Sequence, residues 1–196
     1  FVWDPRYGKR NERRQALVQP CLDLAPTLLG LFNLEIPTTM TGKDLAPAIA
    51  DDTPVRDAAI FGYHGCRVNI TDGKYVYMRG NHKAGVQMYQ YGLTAPGMKD
   101  TSIPNGVTMM TDEDKWDFMG NYPILQMPAN QSTVDGETAF NNSTGDMLFD
   151  VTADPAQKNP LDDKQVIDQL SKRMSELLGE VDAPAETYER LGLAAV

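Results

Sequence analysis

The pair Asp72-Gly73 constrains this chain more than any other two residues. It lies between Val68-Asn69-Ile70-Thr71 and Lys74-Tyr75-Val76-Tyr77-Met78, two runs rich in β-branched and aromatic side chains. A two-residue type I′ turn needs φ > 0 at both central positions, which Asp-Gly tolerates, so the spacing predicts a β-hairpin. The extended pattern continues on either side. Ala59-Ile60-Phe61-Gly62-Tyr63 and Cys66 to Thr71 read as strands, Val86-Gln87-Met88-Tyr89-Gln90-Tyr91 as a further one, and Met147-Leu148-Phe149-Asp150-Val151 as the last, closed by Asp154-Pro155. Residues 92–145 are rich in Gly, Pro, Asn, Asp and Thr with only short apolar runs. So long an irregular stretch marks a functional insertion, or a surface that packs on something absent.

Helical periodicity flanks this β region. Asp23 can cap a helix carrying Leu24, Leu28, Leu31 and Phe32 on one face, with Pro26 tolerated in its first turn and Asn33 suited to a left-handed exit. Gly42 to Ala50 predicts a second short helix, and Asp51-Asp52-Thr53-Pro54 an exposed loop that breaks it. Later, Asp162 or Asp163 caps a helix carrying Val166, Leu170, Met174 and Leu177, with Gly179 as its stop, and Thr187 to Leu193 adds one more turn. Phe1-Val2-Trp3 reads as the end of a strand stopped by Asp4-Pro5, and the absence of an initiator Met is what a fragment would show. The expected fold class is α/β (α+β), with an antiparallel sheet of about four strands packed with a C-terminal helix.

Charge excludes some functions. A formal charge of -9 and a sequence pI of about 4.6 exclude nucleic acid as the main partner, because phosphate neutralisation needs a basic surface. No apolar stretch approaches the roughly 20 residues that span a bilayer, so no membrane partner is expected. Arg6, Lys9, Arg10, Arg13 and Arg14 gather near the start, against Asp4 and Glu12. They read as a solvated loop or a face on an acidic neighbour in preference to an anion site. Cys21 and Cys66 fit neither a disulfide framework nor a metal cluster, and both are expected to be buried thiols. The Asn-x-Ser/Thr matches at Asn69, Asn130, Asn141 and Asn142 are of a kind frequent by chance.

Three blocks carry a family resemblance. Asp23-Leu24-Ala25-Pro26-Thr27-Leu28-Leu29, followed by Met40-Thr41-Gly42-Lys43-Asp44-Leu45, resembles a signature of the sulfatase family in the alkaline-phosphatase-like superfamily. Ala58 to Tyr63 and Arg67 to Tyr77 resemble the family's stretch in which an arginine is followed by a polar turn and a Lys-Tyr strand. Met147 to Pro155, with Asn159 and Pro160, is similar to its "Leu-Tyr-Asp-Leu, two residues, Asp-Pro, then Asn" ending. The blocks stand in the family's order and cover about residues 1–90 and 147–180. The resemblance implies the C-terminal region of a metal-dependent sulfuric ester hydrolase. Residues 1–56 would be a remnant of the large catalytic α/β domain, and 57–196 the small C-terminal subdomain with a long insertion at about 92–145. In that family a cysteine or serine in a Cys/Ser-x-Pro-x-Arg motif becomes formylglycine, whose hydrate attacks sulfur. A divalent cation, usually calcium, neutralises the sulfate oxygens.

That motif is not found in this chain. Cys21-Leu22-Asp23-Leu24-Ala25 and Cys66-Arg67-Val68-Asn69-Ile70 lack its proline and arginine, and Ser102-Ile103-Pro104-Asn105-Gly106 lacks the arginine and reads as a turn. No catalytic residue and no metal ligand is therefore transferred to this chain, which is expected to be inactive alone, while the parent is expected to use calcium and formylglycine. His64, flanked by Gly62 and Gly65, falls where the family's small layer approaches the pocket mouth. It reads either as a satisfied loop histidine or as a substrate-proximal imidazole for the leaving group or a sugar hydroxyl. Arg67 matches the family's arginine, which either reaches an anionic substrate or braces the large domain, with bracing favoured. His82 reads as an exposed turn residue. Trp3 and Trp116 read as packing residues, although Trp116 stands where a carbohydrate-stacking aromatic would be placed.

The implied partners are the upstream catalytic domain of the same polypeptide, a sulfated small molecule or glycan as the parent's substrate, and a second copy through the truncated apolar face of residues 1–34. Two other readings stay open: the same region of a phosphodiesterase or phosphonate-ester hydrolase of the superfamily, and a stand-alone module binding a glycan or a partner.

Overall fold

The structure is a computed structural model that describes residues 2–7, 11–94, 105–111, 116, 119–129 and 145–195. The class is mixed α/β. Among the described residues there are four α-helices, α1 (Pro20–Leu31), α2 (Ala46–Asp51), α3 (Lys164–Glu180) and α4 (Ala185–Leu191). Seven strands, β1 (Ala59–Gly62), β2 (Val68–Thr71), β3 (Tyr75–Arg79), β4 (Met88–Gly92), β5 (Thr108–Met109), β6 (Leu125–Ala129) and β7 (Met147–Asp150), form a four-stranded sheet in the order β1-β2-β3-β7 and a three-stranded sheet in the order β4-β6-β5. The chain divides into two compact units. The first takes Phe1–Phe61, Asn69–Met78 and Met147–Leu177, and the second Gly62–Val68, Arg79–Asp146 and Leu178–Val196.

In the first unit the hairpin forms, but by a different turn. Gly73 has φ +92° while Asp72 stays outside the left-handed region, so this is not a type I′ turn. Asp72 Oδ1 instead accepts the N–H groups of Lys74 (2.9 Å) and Tyr75 (2.7 Å), and Thr71 Oγ1 accepts that of Gly73 (3.1 Å). Three residues connect the strands because the carboxylate does the bending and only glycine takes the left-handed position. β7 pairs antiparallel with β3, setting Tyr75 opposite Asp150 and Met78 opposite Met147. Val76, Tyr77, Leu148 and Phe149 are all buried. Successive strand side chains leave on opposite faces, so the sheet is covered on both sides at this pairing.

The end of β7 explains its own sequence. Asp150 Oδ1 accepts from Thr152 N, Thr152 Oγ1 and Ala153 N at 2.6–3.0 Å, and Asp154 Oδ2 from Lys158 N and Asn159 N, both at 2.7 Å. These acidic residues fold two successive turns that lead into α3. Asp163 is the cap of α3, since its Oδ1 accepts Val166 N at 3.2 Å. Leu170 and Met174, four residues apart, bury its inner face. Removing the cap as Asp163→Ala should cost about 1 kcal/mol in urea unfolding. Asp162→Ala should stay within about 0.5 kcal/mol, and equal losses would place the cap elsewhere.

α1 is turned the other way from most amphipathic helices. Asp23 and Pro26 are fully buried, whereas Leu24 is 60% and Phe32 68% exposed, and Leu22, Leu28, Leu31 and Leu34 are exposed with them. The helix starts at Pro20, which supplies its first turn, and ends at Asn33 with φ 54° as the sequence suggests.

The second unit holds what the sequence reading missed. β4 pairs antiparallel with β6, Met88 opposite Ala129 and Gly92 opposite Leu125, and β5 pairs with the other edge of β6, Thr108 opposite Gln126. The stretch read as irregular therefore contains two strands. β5 has two residues and β6 carries Pro128, so neither shows a usable alternation.

Other expectations are corrected as well. Val2 and Trp3 form no strand, and Trp3 is exposed, since no described side chain covers it. Cys21 lies exposed in the first turn of α1, while Cys66 is buried. Asp52 is not a loose loop residue: at φ 64° it closes α2, and its carboxylate accepts the N–H groups of Gln15 and Ala16. Of the early basic cluster, Arg14 donates to the Ala48 and Ile49 carbonyls near the end of α2, a favourable place for a cation, and Arg6 pairs with Asp4. Asn69 lies in β2. Phe1, Lys9, Arg10, Ser102 to Pro104, Asn130, Asn141 and Asn142 lie outside the described residues.

Candidate functional site

The residues that carry the family resemblance in the first unit form a clasp. Asp23 takes a two-pronged bond from Arg56, Nη1 to Oδ2 at 2.6 Å and Nη2 to Oδ1 at 2.5 Å. The same carboxylate accepts Gln19 N (2.6 Å) and Lys43 N (2.9 Å). Thr27 Oγ1 donates to Asp23 O and accepts Leu45 N at 2.9 Å. The Gly-Lys-Asp-Leu block is thereby laid along the Asp-Leu-Ala-Pro-Thr block. Burial disfavours the Asp23 charge, but the Arg56 bonds and the two backbone donors outweigh it and hold the carboxyl below its usual range. The contact is so close that a Cβ on Gly42 would stand 2.0 Å from Leu22 O. Asp23, Thr27 and Gly42 thus join two chain segments, and none of them offers a free reactive group.

His64 and Arg67 belong to the second unit. His64 sits in the turn after β1 with an exposed side chain. Crowding by surrounding protein and the positive charge of Arg190 lower its pKa, only partly offset by Glu186, so it is neutral at pH 7. Arg67 is half-buried and its Nε donates to Gly145 O at 3.0 Å, a contact within this unit.

Between them in sequence, the Cys66 carbonyl accepts Arg190 Nη1 at 2.9 Å, and the same nitrogen bonds Asn81 Oδ1. Arg190 is 7% exposed, and burial lowers its pKa without discharging a guanidinium. The sequence offered no sign of it, because an arginine in a short terminal helix reads as solvated. Its backbone oxygen also accepts His82 N (2.9 Å), and Arg79 Nε donates to Leu191 O (2.6 Å), so α4 is anchored by its carbonyl end. His82 is more than a turn residue: its Nε2 lies 2.9 Å from Asp146 Oδ1.

A concavity opens on the three-stranded sheet. A cleft of about 490 Å³ is lined by Tyr91, Thr108, Met109, Trp116, Gln126 and Pro184, among others. Tyr91 and Trp116 meet edge to face, with ring centroids 4.9 Å apart and an interplanar angle of 89°. Trp116 Nε1 donates to Asp182 O at 2.7 Å, which fixes the indole. Tyr91 OH donates to Glu186 Oε1 at 3.0 Å. Desolvation raises the Tyr91 pKa, so the phenol remains a proton donor. Among the described residues, no group of three or more His, Cys, Asp or Glu could hold a metal ion.

No family model matches the sequence, and no curated protein does. Among solved structures, the chain is similar to a Bacteroides thetaiotaomicron protein described under the metabolism of multiple glycosaminoglycans and designated 4S-sulf. Identity is 19% and the TM-score 0.47, over 87% of this chain and 28% of that one. The chain thus spans little more than a quarter of that protein's length, and a TM-score at this level does not assign a fold.

Proposed function

We propose that this chain is the C-terminal part of a sulfatase, forming pocket wall and contributing substrate specificity while the chemistry resides in upstream residues of the same polypeptide. The observation that carries the reading is the reversed face of α1. The helix bearing the Asp-Leu-Ala-Pro-Thr-Leu-Leu block buries its carboxylate and proline and leaves its leucines and Phe32 outside. An exposed apolar patch of this kind marks a surface that another element covers. The block resemblance names that element as the large catalytic domain. The chain holds no Cys/Ser-x-Pro-x-Arg motif that could become formylglycine, and among the described residues no group of three or more His, Cys, Asp or Glu could hold a metal ion. On this reading both groups would be supplied by upstream residues of the parent.

The reading separates the isolated chain from the longer polypeptide. Leu28→Glu with Phe32→Glu should leave the stability of the chain alone within about 0.5 kcal/mol and suppress its self-association in sedimentation. In the parent, matured to formylglycine and supplied with calcium, the same pair should abolish aryl sulfate hydrolysis by preventing docking. A parent variant that keeps full activity would refute the placement. A parent that cleaves an aryl phosphate diester in preference to the sulfate would move the chain to the phosphodiesterase branch. His64→Ala in the parent should lower kcat/KM about tenfold, the loss of one substrate hydrogen bond of about 1.4 kcal/mol, if the imidazole reaches substrate.

A further inference from the structure

We propose that the cleft on the β4-β6-β5 sheet binds an uncharged sugar ring. Two rigid aromatics supply the apolar surface: Trp116 is held by its bond to Asp182 O, and Tyr91 by its bond to Glu186. Aromatic groups fixed before binding contribute contact area at little cost in conformational freedom. Beside them runs a loose polar ladder. Thr108 Oγ1 lies 3.4 Å from Gln126 Oε1, and Gln126 Nε2 lies 3.4 Å from Tyr91 OH. Both distances are at the long limit for hydrogen bonds, so an incoming hydroxyl can displace either contact. A sugar hydroxyl both donates and accepts, and the Gln126 amide presents one group of each kind. The cleft falls within the size range of small-molecule sites, and its accessible lining is more polar than apolar, with the two aromatic rings set among hydrogen-bonding groups, which suits a hydroxylated ring.

Charge decides which sugars. Among the described residues, no lysine or arginine lines the cleft, the Glu186 carboxylate accepts the Tyr91 hydroxyl, and the chain carries a net charge of -9. A sulfate or uronate brought here meets repulsion without a partner, whereas a neutral ring loses nothing. The site does not depend on the sulfatase reading. If that reading holds, this cleft takes a substrate residue that bears no sulfate.

Trp116 reports directly, because the sequence has two tryptophans and Trp3→Phe leaves it as the sole one. In that background, emission of the chain is titrated with cellotetraose, chitotetraose and a β-linked galactotetraose, and with a sulfated chondroitin tetrasaccharide for comparison. At least one neutral probe should shift the emission saturably, with affinity unchanged on raising the salt. Gln126→Ala and Thr108→Ala, each checked for an unchanged melting temperature, should weaken binding at least about fivefold, as expected for one lost hydrogen bond. The proposal is overturned if no neutral probe saturates, if the sulfated probe binds as well or better, or if both substitutions leave affinity unchanged. None of these outcomes bears on aryl sulfate turnover by the parent.

Discussion

Asp23→Ala is expected to destabilise the chain by about 3–5 kcal/mol, because it strands a buried guanidinium. Arg56 has 7% of its side chain exposed, and the alanine also leaves the Gln19 and Lys43 N–H groups without their acceptor. Urea unfolding measures this, and a loss below about 1 kcal/mol would show that the clasp is dispensable. The comparison is Asp57→Ala, whose carboxylate pairs with Arg173 but is 70% exposed and should cost at most about 1 kcal/mol. The pH dependence follows in sign. Asp23 has a folded pKa below its unfolded value, so its contribution is complete above the unfolded value of about 3.9 and disappears as pH falls through the folded one. The difference between wild type and Asp23→Ala should be constant from about pH 5 to 8 and shrink only in acid.

Gly42→Ala is the second substitution with a large expected effect. The new methyl would lie 2.0 Å from Leu22 O and 2.5 Å from Leu22 C, atoms of helix backbone that cannot rotate away. The 42–45 segment must lift off α1, losing the bonds from Lys43 N and Leu45 N. We expect a loss of about 3 kcal/mol or more, at the upper end for a point substitution. Gly30→Ala calibrates it. There the nearest atom is Asp44 Oδ2 at 2.6 Å, the end of a side chain that can swing, and alanine favours the helix, so the cost should be well below that of Gly42→Ala. If the two glycines prove equivalent, the close approach of 42 to α1 is wrong.

Periodicity exposed the elements that stand on their own patterns. The β3 hairpin partner, the Leu170 and Met174 stripe of α3 and the αL exit at Asn33 were all legible, because each depends on residues close in sequence. What could not be read depends on distant partners. Arg56 meets Asp23 across 33 residues and Arg190 meets Cys66 across 124, and neither arginine has a local feature that sets it apart from a solvated one. Asp23 reads in the sequence as a helix cap, whereas the helix begins at Pro20 and Asp23 lies on its buried face, where a carboxylate demands a cation. The direction of α1 escaped for a related reason. Leucine spacing marks a face, but whether the face turns inward is decided by the Asp23 clasp on the opposite side. The cleft was half visible. Trp116 was placed by the sequence in a region suited to a ligand, while its partners Thr108 and Gln126 sit on strands too short to register.

The pairing of β3 with β7 has a consequence for synthesis of the protein. The two strands meet across roughly 70 positions, and β2 occupies the other side of β3. At about 5–20 residues per second, a ribosome needs several seconds after finishing β3 before β7 emerges. Through that interval the free edge of Tyr75–Arg79, with Val76 and Tyr77 on its two faces, is a template for any neighbouring nascent chain. Slower translation of residues 80–146 would lengthen the exposure, so yield should fall with codon choices that delay this stretch and recover when a holdase chaperone is co-expressed.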